Sequence, residues 1–97
     1  MAAAHFTVSS GVKKILPEAL IDYLCKLAAR EDLQAYKSQS FILEPRKLGG
    51  RNVLDIFHLC DFDRSKECRR VFGIEPVDCK LQVLNFQGNY QMLLCKN

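Results

Sequence analysis

Apolar residues in this chain follow two spacings, and the change between them divides it. Between residues 16 and 30 they recur every three or four positions: Leu20, Ile21, Leu24, Leu27 and Ala28 form one stripe, with Glu18, Asp22, Lys26 and Arg30 off it. This spacing predicts one long amphipathic helix. Pro17 suits its first position, where a missing N–H is harmless. Glu18 near the start and Lys26 and Arg30 near the end suit the helix dipole. From residue 39 onwards the period shortens to two, which predicts strands able to cover the stripe, so the stripe reads as a core face.

The strands follow from the alternation. Phe6 and Val8 alternate with Thr7 and Ser9 in a short strand that Ser10-Gly11 ends. Ile15 and Leu16 then staple the helix start. Residues 31–37 either prolong the helix or connect it to the sheet. Residues 39–44 predict a strand stopped by Pro45. Residues 46–52, basic and carrying Gly49-Gly50, predict the loop at the tip of a long hairpin.

Residues 53–62 form the longest predicted strand, with Leu54, Ile56, His58 and Cys60 on one face. Val53, Asp55, Phe57, Leu59 and Asp61 fall on the other. Neither face is polar, which predicts a central strand. Asp63 either caps a single turn through Lys66 or marks a plain turn. Residues 68–72 read as an edge strand, with a short helix ended by Gly73 as the alternative. Residues 80–86 and 90–94 flank the turn Gln87-Gly88-Asn89 and predict a hairpin. The fold class expected is therefore α+β: one main amphipathic helix packed on a mostly antiparallel sheet of four to six strands.

Composition narrows this a little. With 97 residues, 48% of them apolar, residues 1–97 are expected to form a single domain that folds without a staple, residues 1–4 being disordered. No run approaches the ~20 apolar residues of a membrane span, so no membrane partner is expected. The five cysteines, Cys25, Cys60, Cys68, Cys79 and Cys95, are odd in number and form no C-x-x-C pair. Residues 1–4 are too short and too weakly apolar for a secretory leader. Free, buried thiols in a reducing cytoplasm are the expectation.

Several stretches resemble a known family. Residues 6–12 and Ile15-Leu16-Pro17-Glu18-Ala19-Leu20 resemble the pattern R-Y-x-T-R-G-[VI]…I-P-x-x-L. Lys80-Leu81-Gln82-Val83-Leu84-Asn85 followed by Gly88-Asn89-Tyr90-Gln91-Met92-Leu93 is similar to K-I-W-V-I-D…G-E-Y-S-T-M-L, and Ile56-Phe57-His58 matches an I-x-H, with Asp61 where Glu is common. These patterns belong to the small bacterial proteins, mainly from Firmicutes, called domain of unknown function 960. The family's Pro and paired Tyr after the His are replaced here by Asp63, Ser65 and Arg69, and its acidic tail is missing. The resemblance implies a single-helix α+β fold in a bacterial cytoplasm and no particular activity.

Three constellations carry possible chemistry. His58 and Cys60 share a strand face about 6–7 Å apart, and with Cys68 and Cys79 they offer zinc-type donors. Structural zinc sites use tight ligand pairs in duplicate, whereas one is present here, so no metal and no cofactor are expected. The same residues supply a Cys/His nucleophile, with Asp55 or Asp61 to orient the imidazole, but no glycine-rich nucleophile turn accompanies them. No catalytic residues are therefore assigned. The basic residues Lys13, Lys14, Arg46, Lys47, Arg51, Arg64, Lys66, Arg69 and Arg70 form three clusters. Brought together they would contact phosphates, with Phe62 and Phe72 stacking on bases; kept apart, the charges on an edge strand oppose strand-to-strand aggregation.

The net charge of +3 is thin for a nucleic-acid binder. The leading expectation is a non-catalytic cytoplasmic protein-interaction module. Weak nucleic-acid binding through the basic clusters is the alternative, and a small cysteine-dependent enzyme the third reading. An open edge strand would also permit self-association.

Overall fold

A computed structural model describes residues 5–60, 66–75 and 77–95. The chain is α+β. Strand β1 (His5–Val8) leads into helices α1 (Ser10–Ile15) and α2 (Glu18–Ala28), then a 3-10 turn (Glu31–Leu33), then β2 (Ser38–Leu48), β3 (Arg51–Cys60), β4 (Lys66–Phe72), β5 (Cys79–Phe86) and β6 (Asn89–Leu94). The six strands form one sheet in the order β1-β6-β5-β2-β3-β4. Every pairing is antiparallel except β1 with β6, which is parallel.

The predicted stripe is the helix's buried face. Leu20, Ile21, Leu24, Leu27 and Ala28 are all buried, while Asp22 and Lys26 are exposed. They pack on Phe41, Leu43, Leu54, Ile56, Leu81, Val83, Tyr90 and Met92, which the strand registers place on one side of the sheet. Pro17 caps α2 instead of opening it, with ψ 150°, and the helix stops at Ala28, two residues short of Arg30.

Three expectations need correction. Ser10-Gly11 does not simply end β1: Ser9 Oγ accepts from the Val12 amide at 3.4 Å and caps α1, whose Val12 is fully buried. β2 does not stop at Pro45 but runs to Leu48, because its ladder with β5 ends at Leu43 and the flank beyond has no partner to lose. The hairpin loop shrinks accordingly from residues 46–52 to Gly49-Gly50, whose φ values of 58° and 81° suit a two-residue turn. Of the two readings left open for residues 31–37 the structure has the connector, and residues 68–72 are strand, as expected. The expectations about residues 1–4 and Asp63 fall outside the described residues.

Candidate interaction surface and a buried polar cluster

Among the described residues the helices lie on one side of the sheet only. On the other, Ile42 stands opposite Phe57 across β2 and β3, and Leu59 and Leu84 flank them, all four half-buried. Around this apolar centre the registers set Arg46, Arg51, Lys66, Arg70 and Lys80, with Glu44 and Asp55 as the carboxylates. These are five of the chain's 14 basic residues and two of its 11 acidic ones. The charges that the registers place on this face therefore sum to +3.

Asp55 organises that face. Its side chain is only 5% exposed, and Arg70 grips it in bidentate fashion, Nε to Oδ1 at 2.7 Å and Nη2 to Oδ2 at 3.0 Å. Arg46 Nε lies 3.4 Å from Oδ2 and its other end donates to Glu44 at 2.8 Å. The Arg70 hydrogen bond, which outweighs the opposing effect of burial, holds the Asp55 carboxyl below its ordinary range. The Lys66 ammonium sits 4.7 Å from the Phe57 ring centroid.

Of the predicted basic residues, Arg46, Arg51, Lys66 and Arg70 share this face. Lys47 and Arg69 project to the opposite side by strand parity, and Arg69 donates to Glu67 at 3.0 Å. Lys13 and Lys14 lie on α1, against β6 near the far end of the sheet from β4. Arg64 and Phe62 fall outside the described residues; Phe72 is 57% exposed on the uncovered face. Lys80, Ile42 and Leu84 were not singled out by the sequence. The signal for them was there: once β2 and β5 are paired, parity alone puts them beside Phe57.

The helix side holds a buried polar cluster. Gln39 is 1% exposed and His58 is 2% exposed. Gln39 Nε2 donates to the Ala28 carbonyl at 3.0 Å, which leaves its Oε1 as the acceptor for His58 Nε2 at 2.6 Å. The imidazole therefore carries its proton on Nε2. Phe41 stacks on the ring at 4.3 Å. Burial, followed by the Arg30 charge, lowers the His58 pKa to about 4. Such a ring is a weak base at neutral pH. Beside it, a cleft of about 240 Å³ is lined by Arg30, Asp32, Leu33, Tyr36, His58, Cys60 and Glu67.

Arg30 closes the cleft by a bidentate pair with Glu67 at 2.8 and 3.0 Å. The Nε groups of Arg30 and Arg69 are buried without a hydrogen-bond partner among the described residues.

The proposed metal and nucleophile sets do not assemble around His58. Cys68 is on the opposite face of the sheet, and Cys79 stands on β5, with β2 between it and β3. Asp55 likewise faces away from the imidazole, and Gln39 occupies the orienting position; Asp61 lies outside the described residues. No group of three or more metal-holding side chains occurs among the described residues. Not all thiols are buried either: Cys60 is, Cys25, Cys79 and Cys95 are intermediate, and Cys68 is exposed. Cys68 projects from β4, beyond which the sheet has no further strand among the described residues.

No protein-family model, curated protein or solved structure matches the chain. No described helix is long and apolar enough to cross a membrane.

Proposed function

We propose that this protein is a non-catalytic, cytoplasmic protein-interaction module that binds an acidic partner on the uncovered face of its sheet. The observation that carries this reading is an apolar centre, Ile42 with Phe57, Leu59 and Leu84, ringed by five basic side chains. An apolar centre with a charged rim is the usual anatomy of a protein interface. The excess of +3 on that face selects a partner with acidic residues.

One feature counts against a polyanion as the ligand: Lys66 covers the Phe57 ring at the apolar centre, which leaves no bare aromatic platform there for a base to stack on. The likeness to domain of unknown function 960 agrees with a cytoplasmic bacterial setting and adds no activity.

A photo-crosslinking residue placed at position 84, on the uncovered face, and at position 22, on exposed α2, tests the proposal in cells. The expected result is an adduct from position 84 alone. It should resist nuclease, and the crosslinked segment should be rich in Asp and Glu. Replacing Arg51 and Lys80 with Glu should abolish it. Adducts that nuclease removes would establish the nucleic-acid alternative instead, and equal adducts from both positions would refute a specific face.

A further inference from the structure

We infer that the partner supplies an extended, acid-bearing segment that pairs along β4 as a seventh strand; this rests on the protein-binding reading above. β4 is the open end of the sheet. It pairs with β3 on one flank, and outside that ladder no backbone hydrogen bond among the described residues engages positions 66–72. The other end differs: β1 has only four residues, and α1 lies against the neighbouring β6. The seven residues of β4 offer about 23 Å of unpaired N–H and C=O groups at ~3.3 Å per residue. An added strand satisfies these groups directly, which is how extended peptides gain affinity at sheet edges.

The side chains select the occupant. Towards the uncovered face β4 presents Lys66, Cys68, Arg70 and Phe72; towards the helices it presents Glu67, Arg69 and Val71. Glu67, the strand's own acid, is occupied by Arg30 and Arg69. Lys66 has no carboxylate within ion-pair distance among the described residues and rests on Phe57. A second copy of β4 paired in parallel register would set Lys66, Arg69 and Arg70 against their own kind, and an antiparallel copy centred on Arg69 would set that arginine against itself; directly opposed like charges are destabilising. A segment with acids facing Lys66 and Arg70, and apolar residues facing Cys68 and Phe72, has no such conflict. The recognised pattern is thus acid-x-apolar-x-acid-x-apolar in an extended chain. A nucleic acid has no backbone that can complete the ladder.

The probe is the peptide Thr-Glu-Thr-Val-Thr-Glu-Thr-Val-Thr, with a counterpart carrying Lys for Glu, titrated into the isotope-labelled full chain. The acidic peptide should shift β4 amides and slow hydrogen exchange at alternate β4 residues. Its affinity should fall several-fold between about 50 and about 300 mM salt. The lysine peptide should bind at least about tenfold more weakly. Lys66→Glu, at an exposed position, should reverse that preference, and an unchanged melting curve shows that it folds. Equal binding of both peptides, or binding that leaves β4 amides silent, overturns the inference. So does concentration-dependent protection of β4 without peptide, which would assign the edge to a second copy. Position-84 adducts that persist while β4 stays silent remove the edge alone; loss of the adducts with β4 still responding removes the parent reading.

Discussion

Gln39 and His58 are locked in one orientation because Gln39 has already committed its amide hydrogen to the Ala28 carbonyl at the end of α2. The amide thus links helix, β2 and β3 inside the core, at 1% exposure. Gln39→Met keeps the volume and removes both polar groups. It strands the His58 Nε2–H and the helix-end carbonyl, so a loss of about 2–3 kcal/mol is expected from urea denaturation. A loss below about 0.5 kcal/mol would mean that water replaces the amide.

The same imidazole gives stability a pH dependence. The folded pKa of about 4 lies below the ordinary 6.5, so the unfolded chain binds this proton more readily. The contribution is full above pH ~6.5, declines as pH falls towards ~4, and is flat below. Glu67, lowered to about 2 from 4.5 chiefly by the Arg30 hydrogen bond, adds a second loss between those values. Denaturation midpoints should therefore fall from about pH 6.5 downwards. In His58→Phe the upper part of that slope should vanish and the lower part remain. An identical slope in both proteins would place the titration elsewhere.

Helix orientation has its own control. Leu24 is fully buried in the stripe, and Asp22 is exposed. Leu24→Ala should cost about 2–5 kcal/mol and Asp22→Ala a few tenths, measured by thermal unfolding. Comparable losses at the two positions would contradict the packing of α2.

Why some of this was legible in the sequence, and some not, can be seen residue by residue. The Leu20–Ala28 stripe and the two faces of β3 are local periodicities, and they hold. α1 has six residues and depends on the Ser9 cap, and a single turn leaves no periodic trace. Pro45 misled because a proline interrupts a ladder only where one exists on its N–H side. Placing the turn at residues 46–52 instead of Gly49-Gly50 then concealed the register. With the two-residue turn, Phe41 meets His58 and Gln39 meets Cys60, so the histidine's partner would have been in view. The parallel pairing of β1 with β6 has no local signature, since it depends on where the helices return the chain.

The thiols should separate by environment. Cys68 is exposed, Cys60 is buried, and burial pushes Cys25 and Cys79 up to about 11. Because the thiolate is the reactive form, fast labelling of the native protein is expected at the exposed Cys68 and, more slowly, at the half-buried Cys95, and all five should react after denaturation. Fast labelling that survives the double replacement Cys68→Ser and Cys95→Ser would show that the core thiols are open.

Asp55 decides between the two classes of ligand. It is a carboxylate on the uncovered face, nearly buried, holding Arg70 and Arg46. Removing it in Asp55→Asn leaves two guanidinium groups, each about half-exposed, free to turn into solvent. The stability cost should fall between the ~1 kcal/mol of an exposed pair and the ~3–5 kcal/mol of a buried one. The net charge of the face rises by one at the same time. Affinity for an oligonucleotide should therefore increase and become more salt-dependent in the variant, from an unmeasurable value in the native protein at ~150 mM salt. Binding of an acidic protein partner should change less, because a polyanion gains from every freed cation whereas a shaped interface also loses the positioning that Asp55 imposes on Arg70. If the native protein already binds the oligonucleotide in the micromolar range at that salt, and Asp55→Asn merely tightens it, Asp55 is tuning a nucleic-acid surface and the ranking reverses.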